Sequence, residues 1–146
     1  MRYANGWKLI GLIMVGLQLA ACGSPPPPEP ESSPAIIEPI EGTDLNRVIL
    51  TEDGVHRIGI VTVAVRATQV SGTPREIIPY DAVLYDAQGT AWTYTNPAPL
   101  TYVRHQIEVD SIANDLAVIA DDLPPDTTVV TVGASELFGA EFEFGE

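Results

Sequence analysis

The chain has 146 residues, of which 20 are acidic and 7 are basic, and its net charge at pH 7 is -13. All acidic residues follow Cys22, whereas Arg2 and Lys8 precede it, so the chain after Cys22 carries 5 basic against 20 acidic residues, a net charge of -15, and no lysine. Nucleic acids and anionic lipid surfaces both attract Lys and Arg, so this composition argues against nucleic acid as a partner and against a chain lying flat on anionic lipid.

The N-terminal segment has the pattern of a secretory signal. Arg2 and Lys8 are followed by an apolar run from Leu9 to Ala21. This run is shorter than the roughly 20 apolar residues of a membrane-spanning helix. The prolines that begin at Pro25 cannot continue a helix. Residues 1–21 are therefore predicted to be a signal peptide.

The end of the apolar run reads Leu19-Ala20-Ala21-Cys22. It resembles the lipobox of bacterial lipoproteins, which implies cleavage before Cys22 and a diacylglycerol thioether on its sulfur. Cys22 is the sole cysteine, so no intramolecular disulfide can form. Because two or three fatty acyl chains such as palmitate anchor a protein firmly where one does not, the resemblance implies an extracytoplasmic lipoprotein. Its anchor would lie in the outer face of the cell membrane or the periplasmic face of an outer membrane.

Residues 22–42 are predicted to be a tether, because prolines mixed with Glu and Ser favour an extended conformation without a core. At about 3 Å per residue the tether would reach roughly 50 Å from the lipid surface. The remaining residues, 43–146, suffice for one small domain.

The domain is predicted to be mainly β, a small antiparallel barrel or sandwich, because short runs of alternating hydrophobicity are separated by turn residues. The predicted strands are Ile60–Val70, Ile77–Leu84, Thr90–Thr95, Tyr102–Val109, Asp115–Ala120 and Thr127–Val132. The predicted turns between them include Asp86–Gly89, Asn96–Pro99, Ala113-Asn114 and Leu123–Asp126.

One or two short helices are also predicted. Thr51 suits an N-cap, Glu52 and Asp53 suit the first turn, and Gly59 suits the end of the helix. Ser135–Phe138 is predicted to form a single helical turn near the end of the chain.

Three segments carry a family resemblance, in order along the chain: Leu50–Val65, Ile78-Pro79-Tyr80-Asp81-Ala82-Val83-Leu84, and Leu123–Ala134. They resemble the start of the β-barrel domain and the membrane-proximal domain of periplasmic adaptor subunits (membrane fusion proteins) of resistance-nodulation-division efflux pumps. The resemblance covers roughly Leu50 to Phe144. The lipoyl domain and helical hairpin of that family have no counterpart here, and Ser71–Glu76 is predicted to be a loop where the family has further strands.

The resemblance implies a lipid-anchored, adaptor-like module that docks on an inner-membrane transporter through residues of about 77–144, performs no chemistry and needs no cofactor. A stand-alone solute-binding or envelope-interaction lipoprotein is the alternative hypothesis, and a remnant of a longer adaptor is a third. The transported substrate, the transporter, the membrane and the oligomeric state stay open.

Individual residues give little indication of catalysis or metal binding. His56 and His105 are far apart in the sequence, and a metal site needs three or four converging ligands. Asp121, Asp122 and Asp126 flank a proline turn and are interpreted as solvated acids rather than a calcium site. Neither Ser71 nor Ser135 lies in a nucleophile motif. No catalytic, metal or cofactor-binding residue is predicted.

Aromatic and cationic side chains are the remaining candidates. Trp92, Tyr94, Tyr85 and Tyr102 are expected to form cross-strand pairs and core, with exposure at a partner surface as the alternative. Arg66, Arg75 and Arg104 are scarce cations in an acidic domain and are expected to form local ion pairs.

Overall fold

The computed structural model of the chain describes residues 33–120, 123–124 and 126–143. The predicted signal peptide, Cys22 and the N-terminal part of the predicted tether lie outside the described residues.

The described residues form eleven strands and two α-helices. In chain order these are β1 (Ala35–Pro39), β2 (Asn46–Leu50), α1 (Glu52–Ile58), β3 (Val61–Ala64), β4 (Arg66–Val70), β5 (Thr73–Pro79), a 3-10 turn (Tyr80–Ala82), β6 (Leu84–Tyr85), β7 (Ala91–Ala98), β8 (Thr101–Ile107), β9 (Val109–Ala113), β10 (Leu116–Ile119), β11 (Thr128–Val132) and α2 (Ala134–Glu143).

The strands make two antiparallel sheets. The larger sheet has the order β1-β2-β8-β7-β11-β3, with β6 also paired to β7, and the smaller sheet has the order β4-β5-β10-β9. Each order ends at two edge strands, so neither sheet closes into a barrel. The prediction of a mainly β fold with two short helices is confirmed, in its sandwich form.

Alternate residues of the larger sheet face two different cores. On one face, Tyr94 and Tyr102 pack with Leu137 of α2 and, at the edge of this core, with Val55 of α1. On the other face, residues such as Ala91 pack against the buried residues of the smaller sheet, which include Ile78, Ala117 and Ile119. The period-two pattern therefore places the helices on one side of the larger sheet and the smaller sheet on the other.

Helix α1 forms as its sequence predicts. The Thr51 hydroxyl accepts a hydrogen bond from Gly54 N at 3.0 Å, and Gly59 ends the helix with a positive φ of 75°. Glu52 and Asp53 lie in the first turn, where the helix dipole stabilises negative charge. Helix α2 includes the predicted turn, Ser135–Phe138, but is longer and runs from Ala134 to Glu143.

Five predictions about strands and loops are wrong. The predicted strand Ile77–Leu84 is interrupted by the 3-10 turn Tyr80–Ala82, and the predicted strand Tyr102–Val109 is divided at Glu108 between β8 and β9. The single strand Ile60–Val70 is divided at Val65, because the chain leaves the larger sheet after Ala64 and joins the smaller sheet at Arg66. Of the predicted loop Ser71–Glu76, only Ser71 and Gly72, which both have positive φ, form the tight turn of the β4–β5 hairpin, and Thr73–Glu76 belong to β5. The predicted turn Asn96–Pro99 comes too early, because β7 continues to Ala98.

The range predicted as a tether, 22–42, includes β1. This strand pairs with β2 along its whole length, from Ala35 opposite Leu50 to Pro39 opposite Asn46. The Pro34 carbonyl also accepts a hydrogen bond from Thr51 N at 3.1 Å. The folded domain therefore includes Ala35–Pro39, ahead of its predicted start at residue 43.

Candidate functional site

A buried polar cluster lies between α2 and the larger sheet. Glu141 is 1% exposed, and its Oε2 accepts a hydrogen bond from the Tyr94 hydroxyl at 2.5 Å. Its Oε1 lies 3.4 Å from Arg104 Nη2 and accepts a 3.4 Å hydrogen bond from Asn46 N. One carboxylate therefore joins the C-terminal helix to β2, β7 and β8.

Aromatic rings surround the guanidinium of Arg104. Its central carbon lies 4.2 Å from the centroid of the Trp92 ring, 5.0 Å from that of Phe142 and 5.5 Å from that of Phe138. These distances permit cation–π attraction, which is stronger when the cation is desolvated. Arg104 is 7% exposed, and its Nε has no hydrogen-bond partner within the described residues.

Asp86 accepts a hydrogen bond from the indole of Trp92, whose ring contacts Arg104. Its Oδ2 accepts a hydrogen bond from Trp92 Nε1 at 3.0 Å, and its Oδ1 accepts from Gln88 N and Thr90 N at 2.9 Å and 2.8 Å. The bond from the indole, together with the backbone bonds, lowers the pKa of Asp86 below its usual value. The carboxylate therefore orients both the turn and the indole ring that contacts Arg104.

A groove of about 300 Å³ opens between this turn and α2. It is lined by Asp86, Ala87, Gln88, Arg104, Phe138 and Phe142, and we call it the aromatic groove. Phe142 is 52% exposed, and its ring also contacts the buried guanidinium of Arg104. The aromatic groove combines apolar walls with one buried cationic side chain and one hydrogen-bonded carboxylate.

Burial raises the pKa of Tyr94 far above its usual value, and the neighbouring Glu141 carboxylate raises it further. Burial also raises the pKa of Tyr102. Tyr94 therefore stays protonated at neutral pH and acts as a hydrogen-bond donor to Glu141. The cluster is arranged to hold α2 on the sheet.

The outer surface of the smaller sheet carries a row of apolar residues. Pro79 is paired with Leu116 and Ile77 with Val118, so these four side chains share the face opposite to the buried Ile78 and Ala117. We call this row the apolar strip. Leu116 is 40% exposed, and the neighbouring Tyr80 is 39% exposed.

A small pocket of about 160 Å³ opens beside the apolar strip, lined by Ile77, Pro79 and Leu116 with Val63, Ala64 and Arg66. Arg66 is paired with Ile77 and is exposed. Solvent-facing sheet surfaces are normally polar, so the apolar strip is a candidate contact surface for another protein.

The three arginines have different environments. Arg104 is paired with Glu141, and Arg75 Nε lies 2.5 Å from Asp110 Oδ2, so the expectation of ion pairs is confirmed for both. For Arg66, no ion pair is found among the residues that the structure describes. It is therefore available for a partner's carboxylate.

The aromatic residues divide into core and surface. Tyr94 and Tyr102 are buried at 0% and 4% exposure, as expected for core, whereas Tyr85 is 50% exposed. Trp92 is half-buried against Arg104. Of these four residues, Trp92 is the one whose ring contacts Arg104, and Arg104 lines the aromatic groove.

The histidines, acids and serines are dispersed. His56 lines an open groove beside α1 with Val55, Ile60 and Leu100, whereas His105 lies on β8 opposite Thr93. Within the described ranges, no three His, Cys, Asp or Glu residues are grouped so as to hold a metal ion.

Asp126 is exposed, while Asp121 and Asp122 lie outside the described residues. Ser71 lies in the β4–β5 turn and Ser135 in the first turn of α2, both exposed. In the part of the chain that the structure describes, no helix is long and apolar enough to cross a membrane.

Sequence reasoning missed Glu141 and Phe142, because the last turns of α2 were not predicted. Phe138 ends the predicted turn, but its contact with Arg104 was not predicted. Comparisons with protein-family models, with curated proteins and with solved structures give no match to this chain.

Proposed function

We propose that this protein is a lipid-anchored extracytoplasmic module that docks on a membrane transporter, in the manner of an efflux adaptor, and performs no chemistry of its own. The observation that carries the proposal is the apolar strip on the smaller sheet. All four of its residues, Ile77, Pro79, Leu116 and Val118, lie inside the segment 77–144 that resembles the adaptors' membrane-proximal domain.

The strip has the chemistry of a protein-binding surface. Partly exposed aliphatic side chains are stabilised when a partner covers them, at roughly 25 cal/mol per Å² of apolar area removed from water. Arg66 at its margin supplies a cation, which favours a partner with a carboxylate beside an apolar ridge. Arginine is also enriched at protein interfaces.

Lipidation of Cys22 would explain why a proline-rich segment precedes the domain. The distance between the domain and the membrane would then be limited by the length of the segment between Cys22 and β1. Residues 22–34 would span up to about 40 Å at about 3 Å per residue. Tethering at this range raises the effective concentration of the domain at a membrane partner, so a weak contact at the strip would suffice.

Site-specific photocrosslinking in intact membranes tests the proposal. The full-length, lipidated protein carries p-benzoylphenylalanine in place of Leu116 or, as a matched control, in place of Glu136. Glu136 is an exposed residue of α2, on the other side of the larger sheet. The expected result is a crosslink from position 116 to a multi-span transporter and none from position 136.

Equal crosslinking from both positions, or no transporter crosslinked from position 116, would overturn docking at the apolar strip. Tight binding of a small molecule in the absence of any crosslinked transporter would instead support a solute-binding lipoprotein.

A further inference from the structure

Strand β4 is an open edge of the smaller sheet. The two sheets end at four edge strands, β1, β3, β4 and β9. Proteins usually block such edges with prolines, charges, bulges or very short strands, because an open edge pairs with other chains. Three of the four edges are blocked in these ways: β1 contains Glu38 and Pro39, β3 has four residues, and β9 carries Asp110 where its register with β10 shifts.

Strand β4 has little of this protection. Its five residues are all paired with β5 in an unbroken register, and they include no proline and no acid. The one charge on the strand is Arg66, at its first residue. The edge of β4 is therefore the one best suited to accept a strand from another chain.

The pairing of β4 with β5 shows which backbone groups face the free edge. Val70 and Thr73 flank the tight turn, where the first and fourth residues of a turn are hydrogen-bonded. The next pair joins Gln69 to Pro74, which has no N–H, and such non-bonded pairs alternate with bonded ones along the ladder. The N–H and C=O groups of Gln69 and, two residues earlier, Ala67 therefore point away from β5. Both residues are exposed, and within the described part of the chain neither has a backbone hydrogen bond outside the strand pairing.

The charges around β4 select the kind of strand that it accepts. Between Asp53 and Glu76 the chain has no acidic residue, although 20 of its 146 residues are acidic. Arg66 lies in this stretch, is exposed, and has no ion pair among the residues that the structure describes. Arg75, on the same face of the hairpin, is already paired with Asp110. An added strand with a carboxylate opposite Arg66 is therefore attracted to this edge.

The pleat of β4 sets the spacing of the other contacts. Arg66, Thr68 and Val70 share one face, because side chains alternate along a strand. Val70 is 46% exposed, so an aliphatic side chain opposite it would remove apolar surface from water. In a strand added antiparallel to β4, the residue opposite Val70 comes four positions before the residue opposite Arg66. A β-branched residue between them suits the position opposite Thr68.

We propose that the free edge of β4 binds an extended segment of a partner protein as an added antiparallel strand, in which an aliphatic residue precedes an acidic residue by four positions. In this mode of recognition the main-chain hydrogen bonds give affinity, and alternate side chains give specificity. The site lies at the edge of the smaller sheet, whereas the apolar strip lies on its outer surface. It does not depend on the partner being a transporter.

Titration with the peptide Ac-SVSTSES-NH2 tests the site. Paired antiparallel with β4, its valine lies opposite Val70, its threonine opposite Thr68 and its glutamate opposite Arg66. The full-length lipidated protein, labelled with 15N, is placed in lipid nanodiscs, and the backbone amide signals of Ala67 and Gln69 are followed. A second peptide, with lysine in place of the glutamate, tests the requirement for an acid.

Methylation of the peptide's backbone nitrogens separates strand pairing from charge attraction alone. In the proposed register the N–H groups of its third and fifth residues face β4, and those of its second and fourth residues face away. A peptide methylated at the third and fifth residues should not bind. The matched control, methylated at the second and fourth residues, carries the same two methyl groups and the same charge and should keep its affinity.

The expected result is a saturable shift of both amide signals, with the lysine peptide bound about fivefold more weakly. In Arg66→Gln the two peptides should bind alike. Gln69→Pro removes one donor from the free edge and none from the pairing with β5, so it should abolish binding. Unchanged amide signals elsewhere in the domain check that both variants keep the fold.

Strand addition at β4 is ruled out if the two amide signals show no saturable shift, or if the peptide methylated at its third and fifth residues binds as well as its control. Equal binding of the glutamate and lysine peptides to the wild type would refute the role of Arg66. Shifts of Ala67 and Gln69 that depend on protein concentration alone would assign the edge to a second copy of this chain instead.

Discussion

Glu141 Oε1 lies 3.4 Å from Arg104 Nη2, and both side chains are buried, with exposures of 0% for Glu141 and 8% for Arg104. Such a pair does little for stability relative to well-packed apolar residues, but removing one partner leaves the other charge buried and unpaired. The pair therefore ties the position of α2 to the intact sheet.

Glu141→Ala should lower the free energy of unfolding by about 3–5 kcal/mol, because Arg104 loses its counter-charge and Tyr94 loses its acceptor. Urea denaturation followed by far-UV circular dichroism measures the change. Glu136→Ala is the matched control on the exposed side of the same helix and should change stability by no more than about 0.5 kcal/mol. Similar losses in the two variants would show that the buried pair does not form in solution.

Alkaline pH should destabilise the domain through Tyr94. The pKa of Tyr94 is raised in the folded state above its unfolded value of 10.0, so unfolding releases a proton once the pH exceeds that value. The contribution of Tyr94 to the free energy of unfolding is therefore present below pH 10.0. It falls above pH 10.0, by up to about 1.4 kcal/mol per pH unit for one such group. Tyr102, whose pKa is also raised, adds to the same slope.

Unfolding free energies measured between pH 9 and pH 11.5 check this slope, and Tyr94→Phe should make it less steep. Tyr85→Phe, at an exposed tyrosine, is the control and should leave the slope as in the wild type. An unaltered slope in Tyr94→Phe would count against a protonated, buried Tyr94.

Two glycines near α2 should respond oppositely to alanine. Gly133 has φ of +88°, and an added Cβ would lie 2.5 Å from Ile60 Cδ1 and 2.6 Å from Ile58 Cγ2. Gly133→Ala should therefore destabilise the protein by about 1–3 kcal/mol. Gly139 lies inside the helix with open space around it, so Gly139→Ala should stabilise the protein by about 0.5–1 kcal/mol.

Thermal and urea denaturation of the two glycine variants compare these effects directly. A loss of stability in both would mean that α2 does not have the packing described here.

Thr51→Ala should cost about 1 kcal/mol of stability, since Gly54 N would lose its capping acceptor at the start of α1. Thr51→Ser keeps the hydroxyl and should cost less. Urea denaturation of the pair measures the difference. Equal losses would assign the effect to the threonine methyl group instead of the cap.

Cys22→Ala should abolish incorporation of radiolabelled palmitate, because the proposed thioether needs the thiol. Ser24→Ala, two positions later, should incorporate the label normally. Labelling of growing cells followed by immunoprecipitation measures both. Continued labelling of Cys22→Ala would refute lipidation at this residue.

The local signals in the sequence predicted local structure well. Thr51, Glu52 and Gly59 define α1 through contacts within one helix, and most strands follow from alternating hydrophobicity. The break at Val65 was not predictable in this way, because no glycine, proline, asparagine or aspartate interrupts the run from Ile60 to Val70. Only the pairing of β3 with β11 and of β4 with β5 separates this run into two sheets.

The buried cluster of Glu141, Arg104 and Tyr94 shows a second limit on what could be predicted from the sequence. Arg104 was expected to form an ion pair, but its partner lies in a helix whose last turns carry no strong periodicity, with glycine at position 139. Glu141 reads as one more surface acid in an acidic chain. Its burial depends on Tyr94 and Arg104 reaching the same point from neighbouring strands, a relationship that only the register of β7 and β8 defines.

Strand β1 gives the domain a definite response to mechanical load. Any pull transmitted along the chain from the N-terminal side reaches the fold at Pro34 and then at Ala35, where a five-residue edge strand begins that is hydrogen-bonded on one side only, to β2. That strand would be the first element to detach under tension. Its loss would uncover Val48 and Leu50 while the hairpin of β7 and β8 stayed paired, so the domain would yield at its edge before its centre.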